Sequence, residues 1–238
     1  MNLYLIPHLM ATLTFVAINV CFVMAASSGH IPWCFPYLEG CVSISKASRH
    51  APEVQIYSIA IMTSAVLMVG YWVLCGSWLR QLYNDFDPTG SQSQRKSRRW
   101  VFVYVGIIAS VGLAVNAALI GDSEGVFNDI RREGVRVFFI GSVLAQCMFA
   151  LKLNKLVKQN NLHQLNKMNN LKIALCAGQL MLAILFAFIA PFFNHSKNIE
   201  NIAEWNIVLL MLIFFVSTGI SWKQTRFQTI TANTLTPR

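Results

Sequence analysis

Five basic residues form two short groups in parts of this chain that are otherwise rich in loop-forming residues. Lys46 and Arg49 lie close together, and Arg131, Arg132 and Arg136 form a second group. Lys and Arg bind phosphate and carboxylate groups, and Arg often does so through two parallel hydrogen bonds. Glu53 and Glu204 each precede an apolar segment and mark a predicted helix start near the same groups, so we include them in the candidate site. The candidate anion-site residues are Lys46, Arg49, Glu53, Arg131, Arg132, Arg136 and Glu204.

The alternative for the second basic group is an ordinary surface. Its loop also carries the acids Asp122, Glu124, Asp129 and Glu133. Exposed ion pairs between such residues contribute only about 0–1 kcal/mol each. Both interpretations remain open from the sequence.

A hydrolytic or acyl-transfer site needs a nucleophile, a base and an acid. Ser43 or Ser45, with His50 or His30 and with Glu53, would supply these residue types. Neither serine lies in a Gly-x-Ser-x-Gly turn, the pattern that exposes a catalytic serine in one large class of hydrolases. We therefore assign no catalytic residue and regard Ser43, Ser45, His50 and Glu53 as weak candidates only.

Two cysteines of the same segment, Cys34 and Cys41, are predicted to form a disulfide if the segment faces an oxidising compartment. Free thiols are the alternative. Together with His30 and His50 they lack the ligand spacing of known zinc sites. We expect no metal and no cofactor.

The elements that position these residues are membrane helices. Of the 238 residues, 55% are hydrophobic and 12% charged, and the mean hydropathy is +0.50. Soluble domains carry about 25% charged residues. The composition excludes a secreted disulfide scaffold, a disordered chain and a typical cytosolic enzyme, and it predicts an all-α polytopic membrane protein.

Six apolar segments are long enough to cross a bilayer core of about 30 Å. They are predicted at about 3–26, 54–79, 100–120, 135–151, 171–193 and 206–222. We expect one domain, 1–238, folded as a compact six-helix bundle. The first segment is predicted to be a retained helix, because the Lys and Arg residues of a signal-peptide n-region are missing.

Orientation follows from the distribution of Lys and Arg. Thirteen of the nineteen lie in the termini and the second and fourth loops, and six lie on the opposite side. Both termini are therefore predicted to be cytoplasmic and the candidate anion site to face the other way. The formal charge of +9 then reflects topology and attraction to anionic lipid, so nucleic acid is not an expected partner.

The predicted spans contain few polar residues. We find no Asp, Glu, Lys or His at mid-membrane depth, which argues against an ion pump or a proton-coupled transporter. The amides Asn19, Asn116, Gln146 and Gln179 are predicted to bond between helices. Asn194 begins a glycosylation sequon on the non-cytoplasmic side, and its occupancy is left open.

Several short motifs, in this order and spacing, resemble one family of membrane proteins. They are 28–30 (Ser-Gly-His), 35–37 (Phe-Pro-Tyr), 43–45 (Ser-Ile-Ser), 52–53 (Pro-Glu) with 56–57 (Ile-Tyr), and 202–205 (Ile-Ala-Glu-Trp). The chain resembles the damage-regulated autophagy modulator (DRAM) family, which includes PGAP-type proteins of GPI-lipid remodelling. The resemblance implies six helices with both termini inside. Lys46 stands where the family has Asp, and Arg131 stands where it has His, so chemistry based on those two residues is not expected here.

Together these observations predict a non-catalytic, lipid-associated protein of membrane lipid homeostasis or autophagy-type membrane processes. A phospholipid or sterol would be the partner, with its headgroup near the non-cytoplasmic loops. One alternative is a lipid-remodelling enzyme that uses the Ser, His and Glu groups. Another is an adaptor that recruits a cytosolic protein through the basic loops at 94–100 and 152–172. The sequence leaves open which membrane contains the protein.

Overall fold

The computed structural model describes residues 2–86, 101–121, 124–189 and 196–227, and these residues form eight helices. Six are long: α1 (Leu5–Ser27), α4 (Glu53–Phe86), α5 (Val101–Ala118), α6 (Gly125–Gln159), α7 (His163–Ile189) and α8 (Ser196–Gln224). Two single-turn helices, α2 (Pro36–Glu39) and α3 (Ile44–Ala47), lie between α1 and α4.

All six long helices are apolar and long enough to cross a membrane, which confirms an all-α, multi-pass membrane protein. Most extend beyond the predicted spans because their polar ends continue the helix. The predicted span at 135–151 is the middle of α6, whose 35 residues extend over about 52 Å. Lys172 falls both in the basic loop 152–172 and at the edge of the span 171–193 predicted from the sequence, and it lies within α7. The direction of the bundle in the membrane stays a prediction.

The long helices form a closed ring in the order α1, α4, α5, α6, α7, α8 and back to α1. The two short helices lie over one end of this ring and pack on α1 and α8. We call this the loop end of the bundle and the opposite one the far end. The helix starts that carry Glu53, Arg131 and Glu204 all lie at the loop end.

Close helix contacts depend on glycines at the centre of the α4, α5 and α6 packing. A methyl group on Gly106 of α5 would lie 2.3 Å from the indole ring of Trp72 on α4. A methyl group on Gly112 would lie 2.6 Å from the carbonyl oxygen of Gly134 on α6. Small residues of this kind let membrane helices approach closely, where lipid supplies no hydrophobic driving force between them.

The hydrogen bonds that were predicted for polar amide side chains between helices are confirmed. Asn116 Nδ2 donates to the Tyr57 hydroxyl at 2.9 Å, which joins α5 to α4. Gln179 Nε2 donates to Gln146 Oε1 at 2.9 Å, which joins α7 to α6. Asn19 Nδ2 donates to the Tyr37 hydroxyl at 3.1 Å, which joins α1 to α2.

Lys172 is a buried cation that the sequence analysis did not single out. Its side chain is fully buried. Its Nζ donates to the Ser217 carbonyl oxygen at 3.1 Å and to Ser221 Oγ at 2.8 Å. Lysine is almost never buried without partners, and here both partners belong to α8.

Replacing Gly106 with Ala is expected to destabilise the bundle by about 1–3 kcal/mol, the usual result of overpacking, because the rigid Trp72 ring cannot move aside. The matched control is Gly70→Ala in α4, where a methyl group meets nothing within 4 Å. This control should leave stability unchanged or raise it by up to about 1 kcal/mol. Thermal unfolding in detergent, followed by tryptophan fluorescence, measures both. Equal melting temperatures for the two variants would contradict the packing described.

Candidate anion-binding basin

The loop that carries Lys46 and Arg49 is held in place by side chains of α8. Asn201 Nδ2 donates to the Gly40 carbonyl oxygen at 2.7 Å, and Asn206 Nδ2 donates to that of Tyr37 at 2.8 Å. Between them, the buried Trp205 donates from Nε1 to the Val42 carbonyl oxygen at 2.9 Å. Three backbone acceptors within six residues are thus satisfied by a single helix.

The same loop is closed internally. Cys34 and Cys41 form a disulfide with their Cα atoms 6.5 Å apart. Gly40 ends α2 with φ of 60°, where any larger residue would collide with the Asn198 carbonyl. Burial raises the pKa of the Tyr37 phenol, so this group is neutral. Its ring packs on that of Trp205, with the two ring centroids 5.1 Å apart.

The turn after the disulfide starts the short helix α3. Ser43 Oγ accepts a hydrogen bond from the Lys46 backbone N–H at 3.2 Å, as an N-terminal cap does. Lys46 and Arg49 follow within two turns. The loop geometry therefore directs both side chains toward the starts of α6 and α8.

These elements enclose a polar basin of about 690 Å³ at the loop end. All five predicted basic residues line it, and Lys197 of α8 adds a sixth cation. Two carboxylates also line it, so the basin carries a formal excess of four positive charges. Its charged residues are Lys46, Arg49, Arg131, Arg132, Arg136, Lys197, Glu200 and Glu204.

Among the described residues, two of the arginines have a side-chain Nε donor without a hydrogen-bond partner. Arg131 is 4% exposed, and its Nη2 donates to Asn128 Oδ1 at 2.8 Å, while its Nε has no partner. The Nε of Arg49 is also buried without a partner. Arg136 differs, because it is paired with Glu133 on the exposed side of α6. Buried donors normally have partners, so Arg49 and Arg131 are suited to an added acceptor.

An apolar cleft lies directly beneath the basin. Side chains of α1, α3, α4, α5, α6 and α8 line it, among them Ile18, Met68, Phe139 and Met211. The cleft is narrow, with an open volume of about 50 Å³. That volume excludes a bulky headgroup and holds only a short apolar segment, so a longer hydrocarbon chain would have to spread the lining side chains to enter.

The basin and the cleft share the three lining residues Ser45, Val135 and Glu204. Polar and apolar space therefore meet at one junction, formed by α3, α6 and α8. Glu204 was expected at the site and lies at this junction.

Glu53 lies elsewhere than the other predicted anion-site residues. It is not among the residues that line the basin. It is fully buried at the start of α4, with one carboxylate oxygen 3.8 Å from His30 Nδ1. The His30 ring in turn lies against that of His50, with the centroids 4.4 Å apart.

The weak catalytic candidates are divided between these two places. Ser43 and Ser45 line the basin, whereas His50 lies beside His30 and Glu53. Within the described residues, no hydrogen bond joins either serine to either histidine. Those residues also contain no cluster of His, Cys, Asp and Glu side chains that could hold a metal ion.

A known protein family matches this chain over most of its length. The model of the Frag1/DRAM/Sfk1/Cwh43P N-terminal domain matches residues 2–224, which is nearly the whole chain. The chain belongs to this family. No curated protein and no solved structure matches it.

Sequence reasoning missed some residues of the basin. Lys197 was counted as an isolated basic residue, and Asn128 and Asn198, which also line the basin, were not considered. All three lie in the first turns of α6 or α8, so predicting longer helices would have found them. Two other expectations, the sequon at Asn194 and the basic loop at 94–100, lie outside the described residues.

The disulfide can be counted directly. Unfolding the protein in detergent with iodoacetamide and without reductant should add four alkyl groups, to Cys21, Cys75, Cys147 and Cys176. Adding reductant first should give six, because the remaining two of the six cysteines are then released. Intact-mass spectrometry reads both numbers. Six groups without reductant would show that the loop is not closed covalently.

Proposed function

We propose that this protein is a non-catalytic lipid-binding protein that takes part in membrane lipid homeostasis or an autophagy-type membrane process. It holds an anionic lipid headgroup in the basin and a hydrocarbon chain of the same lipid in the cleft. The family membership supports a membrane role of this kind.

The junction between the basin and the cleft is the observation that carries this proposal. A headgroup and its chain are joined covalently, so a lipid site must place polar and apolar space side by side. Here Ser45, Val135 and Glu204 face both spaces. A site for a small soluble anion would need the basin alone.

The charge of the basin favours an anionic headgroup over a zwitterionic one. Six cations surround two carboxylates, and the buried Nε donors of Arg49 and Arg131 have no partner among the residues that the structure describes. The first turn of α8, where Lys197 and Asn198 line the basin, adds the positive end of a helix dipole. Hydrogen bonds that involve a charged group contribute about 1.5–3 kcal/mol each.

A non-catalytic role agrees with the positions of the hydroxyl groups. Ser43 Oγ already accepts the capping bond of α3. Among the described residues, Ser45 makes no hydrogen bond to a histidine, and the nearest acid at its junction is Glu204, which has no histidine beside it in the basin lining. The protein would then act by retaining a lipid and so changing its availability in the membrane.

Native mass spectrometry of the purified protein with phosphatidic acid and, separately, phosphatidylcholine tests the proposal. We expect tighter binding of phosphatidic acid by the wild-type protein. The double variant Arg49→Gln/Arg131→Gln should weaken that binding at least about tenfold, since two charge-assisted hydrogen bonds are lost and 1.4 kcal/mol is a factor of ten.

The matched control removes two positive charges from the far end of α6, the helix that carries Arg131. Lys155→Gln/Lys158→Gln changes two exposed residues of α6 and should bind phosphatidic acid as the wild type does. A second variant, Lys46→Gln/Arg132→Gln, alters only exposed side chains of the basin, so it keeps the test informative if burial makes Arg131 essential for folding. Equal loss in the basin variants and the control would overturn the proposal, because bulk charge alone would then explain binding.

A further inference from the structure

Helix α7 leaves the bundle halfway along its length. Among the described side chains of α7, the last buried one is Gln179, which bonds to Gln146 of α6. At the neighbouring position, a methyl group on Gly178 would lie 3.5 Å from Leu210 of α8. Beyond these residues, every described side chain from Leu180 to Phe188 is exposed or half-buried.

The other long helices remain packed up to the loop end. Buried residues occur there in α1 at Ala26, in α4 at Tyr57, in α5 at Ala117, in α6 at Gly134 and in α8 at Trp205. The divergence is therefore specific to α7. It lies in the half of the bundle that contains the basin and the cleft.

The departure of α7 uncovers the space between its two neighbours in the ring. Helices α6 and α8 make little contact with each other directly. Both line the cleft, with Val135, Phe138 and Phe139 from α6 and Val208 from α8, whereas none of the described side chains of α7 lines it. Phe138 and Phe139 are half-buried, so they face the cleft and the surroundings of the bundle at once.

We propose that this gap between α6 and α8 is a lateral opening through which a lipid chain enters the cleft from the surrounding membrane leaflet. The inference rests on the proposed function, because it supplies the route to the same site. The exposed part of α7 is apolar, with Met181 64% and Phe188 70% exposed, so hydrocarbon and not water is the medium that meets the gap. The ligand is therefore a lipid drawn from the bilayer, not a soluble phosphate that enters the basin from water.

Photo-crosslinking tests the opening without depending on the headgroup. Single variants carry benzoylphenylalanine at Phe139 of α6 or at Val208 of α8, which is only 7% exposed. Each is placed in nanodiscs of phosphatidylcholine with an alkyne in its acyl chain. After irradiation, the lipid attached to the protein is labelled through the alkyne and measured.

The same replacement at two other positions of α6 gives matched controls. Ile140 is 62% exposed and faces lipid, whereas Phe149 is fully buried among aromatic rings. We expect the Phe139 and Val208 variants to attach lipid nearly as well as the Ile140 variant, and several-fold more than the Phe149 variant. Only variants that elute as a single species in size-exclusion chromatography are compared. The two test positions lie on different helices, so the test can still be made if one of the two variants does not fold.

The outcomes separate the two proposals. If Phe139 and Val208 attach no more lipid than Phe149, the gap is closed and the lateral opening is overturned, whatever the basin binds. If both attach neutral lipid, the opening is supported even where phosphatidic acid shows no preference for the basin, a result that would contradict only the proposed headgroup site.

Discussion

Three hydrogen bonds from one helix to the loop between α1 and α4 hold the site together. The donors are the side chains of Asn201, Trp205 and Asn206, and each bonds to a backbone carbonyl oxygen of the loop. Backbone carbonyl groups that are shielded from water need such partners. The bonds fix α3 and so the positions of Lys46 and Arg49. Because α8 also lines the cleft beneath, this one helix sets the distance between the polar and apolar parts of the site.

The charged residues of the basin repel one another, because positive charges outnumber negative ones. Six cations share one space with two carboxylates, and like charges at such distances disfavour one another unless water or counterions intervene. The fold tolerates this arrangement because helices α3, α6 and α8 carry seven of the eight charged residues, and Arg49 lies just after α3. An arrangement that costs stability and is nevertheless built on rigid elements is typical of a binding site.

Much of the fold was predictable because hydropathy reports directly on membrane helices. Local composition or spacing predicts the six spans and the clustering of Lys46 and Arg49 with Arg131. It also predicts the hydrogen bonds that Asn and Gln side chains make between helices. The cleft and the role of Trp205 do not, because they depend on contacts between segments about 160 residues apart, which leave no periodic pattern. The burial of Lys172 was not predicted for a related reason, because its partners lie on α8, 45 and 49 residues away along the chain.

The buried Lys172 has a consequence for biogenesis. The cost of a lysine in a membrane helix reaches about 2.5–3.5 kcal/mol at the helix centre and is smaller toward the helix ends. Lys172 lies in the first half of α7, and both groups that accept its hydrogen bonds belong to α8. The two helices therefore suit insertion as a hairpin, in which α8 satisfies a polar group that α7 carries.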